Sequence, residues 1–123
     1  MFELSQTFTF DAAHTLKRHV SPEEAASSRR IHGHTYTAEV AVRGPRQPDT
    51  GMVVDLAVLR AALAEVRSQL DHHFLDEVAG LGTPTLENLC VFIFGQVSAR
   101  IPQLSMVSVS RAAGDRCVYR PQD

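Results

Sequence analysis

The chain has 123 residues, 44% of them hydrophobic and 21% charged, which excludes disorder as its main state and fits one domain spanning 1–123. A formal charge of −2 argues against a protein that coats nucleic acid, so any anion site must come from local clustering. The longest apolar run, Leu89 to Phe94, is too short to span a membrane, Met1 to Phe10 lacks the pattern of a secretory signal, and two cysteines (Cys90 and Cys117) make no disulfide framework, so a cytoplasmic protein is expected.

The pattern reads as two strands, two helices and two strands. Phe2, Leu4, Phe8 and Phe10 sit at alternating positions and predict a half-buried first strand. Residues 15–31 form a long polar loop, a common place for function. A second strand is expected from about His32 to Val42, ending at Gly44-Pro45, with turn chemistry at 46–51. Asp55 reads as a helix N-cap, followed by a stripe of Leu56, Leu59, Leu63, Val66 and Leu70. A second helix starts at Thr83 or Thr85, with Pro84 near its first turn, and buries Leu86, Leu89, Cys90, Ile93 and Val97 before Pro102 ends it. Leu104 to Arg111 and Arg116 to Arg120 form a hairpin about Ala113-Gly114-Asp115. This ββααββ order predicts an α+β fold, a four-stranded antiparallel sheet with both helices on one face. Such a sheet has open edges, and pairing them between subunits would close a larger barrel.

Histidine supplies six residues, and they are clustered. His32 and His34 stand at i and i+2 on a strand, so they share a face. His14 has the strand parity of Phe8, Phe10 and Ala12, and reaches the same point if the first two strands pair. Three neutral imidazoles suit zinc and leave a fourth position open to water or substrate. The competing reading is a strand entry with exposed rings. Asp71-His72-His73 follows the first helix, where a histidine either caps terminal carbonyls or is oriented by Asp71 to move protons; spacing leaves both open.

Together these stretches resemble the 6-pyruvoyl tetrahydropterin synthase family, which includes the bacterial 6-carboxytetrahydropterin synthases of the queuosine route. The matching segments are Phe10-Asp11-Ala12-Ala13-His14, Ile31-His32-Gly33-His34-Thr35-Tyr36, Gly51-Met52-Val53-Val54-Asp55-Leu56, Leu70-Asp71-His72-His73-Phe74-Leu75 and Pro84-Thr85-Leu86-Glu87-Asn88-Leu89. The resemblance implies a tunnelling fold, in which three subunits close a twelve-stranded barrel, two trimers stack as a hexamer, and sites lie between subunits. It implies zinc held by His14, His32 and His34, proton transfer assisted by Asp71 and His72, and a pterin held by Thr85 and Glu87. The implied substrate is 7,8-dihydroneopterin triphosphate. The 6-carboxytetrahydropterin branch breaks the side chain, releasing acetaldehyde and triphosphate, whereas the pyruvoyl branch eliminates triphosphate and rearranges it. Lys17, Arg18, Arg29 and Arg30 would face the triphosphate, or are solvated loop charges.

Two positions depart from the family pattern. Members of the main catalytic types carry a general-base cysteine four residues before the first histidine of His-X-His; here that residue is Ser28, whose hydroxyl is far less acidic and needs a neighbouring base such as Asp71 with His72. Members place a pterin-gripping glutamate near the end of the third strand; here that position is Arg111, which only donates hydrogen bonds and suits a carboxylate, phosphate or carbonyl. The expectation is therefore a zinc-dependent pterin lyase of the 6-carboxytetrahydropterin synthase type, against a same-fold zinc protein with an altered ligand or without turnover, and, second, against the 6-pyruvoyl tetrahydropterin synthase reaction.

Overall fold

The computed structural model describes residues 1–15, 21–24 and 30–121. Ser28, Lys17, Arg18 and Arg29 lie outside the described residues. The elements are β1 (Phe2–His14), β2 (His32–Gly44), α1 (Leu56–Leu70), a 3-10 turn (Leu75–Glu77), α2 (Leu86–Ser98), β3 (Leu104–Arg111) and β4 (Arg116–Tyr119). They form a four-stranded sheet in the order β1-β2-β3-β4, antiparallel throughout.

The alternation in β1 is realised from Leu4 onward, whereas Phe2, expected on the same face, is 50% exposed at the start of the strand. Phe8, Phe10, Ala12 and His14 face the helices, while Thr7, Thr9 and Asp11 are exposed on the other side. Register with β2 runs unbroken from Phe2 opposite Gly44 to His14 opposite His32. Phe10 stacks on Tyr36 with ring centres 4.9 Å apart, and each is 1% exposed. Burying one such ring contributes about 1.5–3 kcal/mol. The uncovered face carries Thr7, Thr9, Thr35 and Thr37, in the apolar-in, polar-out pattern of an antiparallel sheet.

Both helices begin where capping chemistry allows. The Asp55 carboxylate accepts the Ala57 N–H at 2.8 Å, and the Thr85 hydroxyl accepts the Asn88 N–H at 3.1 Å. The stripe of α1 is Leu59, Ala62, Leu63, Val66 and Leu70; Leu56, expected in it, is 37% exposed in the first turn, where it lines an open depression with Phe2, Leu4 and Met52. Pro84 precedes the Thr85 cap rather than entering the first turn, and α2 stops at Ser98, ahead of Pro102.

The course of α2 positions the site. Phe94 meets Tyr119, which pairs with Val107, and Cys90 donates to the Cys117 carbonyl, whose residue pairs with Val109. Each helical turn toward the N-terminus therefore advances two residues along β3. The start of α2, Thr85 to Glu87, lies at the Arg111 end of β3.

Candidate functional site

At one end of the helix-covered face the core changes from apolar to polar. Below it lie Phe10, Tyr36 and Val109; above it stand His14, His32, His34 and Arg111. Parity and pairing bring the three histidines together as expected. Their ring centres lie 5.1 Å (His14–His34), 5.9 Å (His14–His32) and 6.5 Å (His32–His34) apart. Three imidazoles on one tetrahedral zinc stand roughly 5 Å apart, so the first pair already matches and the other two are wider.

His14 supplies the test of whether a metal fits. It is 5% exposed, and its Nδ1 lies 3.0 Å from the Thr15 carbonyl oxygen. A carbonyl only accepts, so Nδ1 carries the proton and Nε2 carries the lone pair. That Nε2 is buried with no hydrogen-bond partner among the described residues. An orphaned buried acceptor costs about 1–3 kcal/mol, a cost that a metal ion would remove. A backbone carbonyl behind the ring is also the usual way of holding a metal-ligating tautomer. Burial first, then Arg111, His14 and His32, lower the His34 pKa from its ordinary 6.5 against an opposing pull from Asp115, which favours the neutral form that can ligate. Burial pushes the Tyr36 hydroxyl beside it up to about 12.

Arg111 closes this corner. It pairs across the strands with Tyr36, which makes it the diagonal neighbour of His34 on the same face. Its guanidinium is paired with Asp115 across the β3–β4 turn, and its Nε is buried without a partner among the described residues. At the start of α2 the Thr85 hydroxyl is committed to its cap and Glu87 is exposed in the first turn.

Asp71 and His72 are elsewhere. The segment after α1 is bound to the free edge of β1: His72 N–H donates to the Asp11 carbonyl at 2.7 Å, Asp11 N–H to Asp71 Oδ1 at 2.9 Å, and Ala13 N–H to the His73 carbonyl at 3.2 Å. His72 takes the left-handed conformation (φ 58°), unusual for a residue with a Cβ. Its Nδ1 lies 2.8 Å from Asp71 Oδ2, leaving the rest of the ring 79% exposed. Asp71 is held below the usual carboxylate range, first by the Asp11 N–H and then by His72 and Arg67.

Asp71 and His72 gather with Asp11, whose side chain points to the uncovered face and accepts from Thr35 at 2.5 Å. These three offer ligand atoms within 4.8 Å of one another, a set able to hold a cation among the described residues, whereas the three imidazoles stand wider apart. Its oxygens are already engaged by backbone, hydroxyl, imidazole and guanidinium donors, which distinguishes it from the orphaned Nε2 of His14. A shallow depression of about 550 Å³ joins Asp11, Gly33, Thr35, His72 and Phe74.

Sequence reasoning missed Asp11, Asp76 and Asp115. Asp76 accepts the Thr15 N–H at 2.9 Å and also its hydroxyl, which fixes the carbonyl that orients His14. Asp115 had one available signal, a charge opposite to Arg111 four residues later across a glycine turn.

A profile of the 6-pyruvoyl tetrahydropterin synthase family matches residues 3–122. The chain is 36% identical to a 6-carboxy-5,6,7,8-tetrahydropterin synthase of Synechocystis sp., covering 89% of this chain and 85% of that protein. It is 31% identical to the enzyme of the same name from Bacillus subtilis, covering 98% and 86%. Among solved structures, 6-pyruvoyl tetrahydropterin synthase of Caenorhabditis elegans superposes with a TM-score of 0.85 at 26% identity, covering 97% of this chain and 94% of that one.

Proposed function

The chain belongs to the 6-pyruvoyl tetrahydropterin synthase family, and from that premise we propose that it is a zinc-dependent lyase acting on 7,8-dihydroneopterin triphosphate, of the 6-carboxytetrahydropterin synthase type. The observation that carries this reading is the buried Nε2 of His14, unpartnered among the described residues, beside His32 and His34. Two relatives covering most of the chain bear that enzyme's name, which supports the choice of branch. The reaction belongs to the route to queuosine precursors, and the protein works in the cytoplasm.

In this reading His14, His32 and His34 hold the metal. Zinc held there would supply a Lewis acid for the side-chain oxygens of the substrate. The protein groups do the rest. Asp71 keeps the proton on His72 Nδ1, so Nε2 is free to take one from substrate. Ser28 replaces the family's cysteine and needs such a base, so the Asp71–His72 pair carries the proton transfer. Thr85, Glu87 and Arg111 border the pterin.

Within one protomer the pair lies on the opposite side of the sheet from the histidines' side chains. This separation supports a site assembled between copies, and the proposed assembly has three chains closing the barrel and two trimers stacking as a hexamer. Incubating zinc-loaded protein with 7,8-dihydroneopterin triphosphate and analysing products by mass spectrometry tests this. The expected products are 6-carboxytetrahydropterin, acetaldehyde and triphosphate; no product at full zinc occupancy would overturn it.

A second reading rests on Arg111. A guanidinium facing the histidines favours a ligand rich in acceptors, and with Ser28 it fits a same-fold zinc protein acting on another molecule or binding without turnover.

A further inference from the structure

The turn between β3 and β4 places a charge pair, not a lone cation, at the site. Gly114 (φ 110°) lets the chain reverse within a few residues, a conformation that side chains oppose. Its N–H donates to the Arg111 carbonyl, and Arg111 N–H donates to the Asp115 carbonyl, each at 3.0 Å. This double closure fixes Asp115 against Arg111. The Asp115 side chain is 52% exposed, Arg111 pairs with its Oδ2, and Oδ1 remains as an acceptor. Arg111 keeps donors beyond the Nη2 it commits to Asp115, including the buried Nε. One guanidinium and one carboxylate therefore sit side by side, diagonal to His34.

Such a pair is complementary to a cyclic amide edge, in which a ring N–H stands next to a carbonyl. A lone arginine would repel the donors of that edge, while a carboxylate beside it accepts them. Resting on the pterin reading above, we propose that Asp115 and Arg111 together anchor the pterin ring: Asp115 accepts the ring N3–H, and Arg111 donates to the adjacent C4 carbonyl oxygen. The carboxylate that position 111 lacks is supplied from position 115. Arg111 holds that carboxylate in place and reads the neighbouring oxygen.

The test is equilibrium binding to zinc-loaded protein, followed by pterin fluorescence, with neopterin and its N3-methyl derivative. Asp115→Ala is expected to weaken neopterin binding about tenfold or more, the range for a hydrogen bond to a charged group. It should leave zinc content and melting temperature unchanged, and hardly alter binding of the N3-methyl compound, which has no proton to donate. Asp115→Asn should fall between the two. Unchanged neopterin affinity in Asp115→Ala, or equal losses for both ligands, would overturn the anchor and leave the pterin reading standing. Failure of the unaltered protein to bind neopterin would overturn both.

Discussion

Two corners of this protein lie at the same end of one sheet and solve opposite problems. On the helix-covered face, His14 is 5% exposed and its Nε2 has no partner among the described residues. At the β1 edge, His72 is 79% exposed and its Nδ1 is held by Asp71, which is itself bonded to backbone and flanked by Arg67. The buried corner keeps an unmet need that a ligand can satisfy. The exposed corner is internally satisfied and retains a free ring nitrogen for a proton. Burial and partnering, more than residue type, set these two histidines apart, and the roles proposed for them, metal ligand and proton carrier, rest on that difference.

The largest expected effect is at the buried corner. His32→Ala should reduce bound zinc from about one per chain to near none after dialysis, measured by elemental analysis, while the circular dichroism spectrum stays folded, because the apolar stripes lie elsewhere. Retained stoichiometric zinc would remove His32 from the ligand set.

The next is at the edge. His72→Gly should lower turnover by about 10²–10⁴-fold, the usual contribution of a positioned acid or base. Zinc content should hold and thermal stability should not fall, since glycine accepts a φ of 58° without strain. Loss of stability together with activity would make His72 a structural cap.

A smaller effect tests the frame between the corners. Thr85→Ala removes the cap of α2 and should cost about 1 kcal/mol in urea unfolding, with zinc affinity unchanged.

The smallest concerns acid. The folded Asp71 carboxyl is depressed from 3.8, so its contribution to stability is present above that value and is lost as pH falls through the lower folded value. Asp71→Asn should therefore flatten the acid limb of the stability profile below about pH 4 and change little at pH 7. An unaltered acid limb would show that Asp71 is not tied to β1 in solution.

Much of this was legible from residue spacing. Period-two alternation from Phe8 to His14 and the i, i+2 pair His32 and His34 put three imidazoles on one face, and antiparallel register then brought them together. The caps Asp55 and Thr85 and the turn at Gly114 are local chemistry that sequence displays directly. The Asp71–His72 corner was not placed, because its position depends on hydrogen bonds to Asp11 sixty residues earlier. Leu56 misled because helical periodicity does not say whether the first turn is covered. Asp115 escaped because an exposed turn aspartate ordinarily needs no explanation beyond the turn.

The most direct measurement is an anomalous difference map at the zinc edge from crystals of zinc-loaded protein. A peak enclosed by His14, His32 and His34, with none beside Asp11, Asp71 and His72, is the expected result. A peak at the Asp11–Asp71–His72 corner, with the three histidines empty, would contradict the division of labour between the two corners.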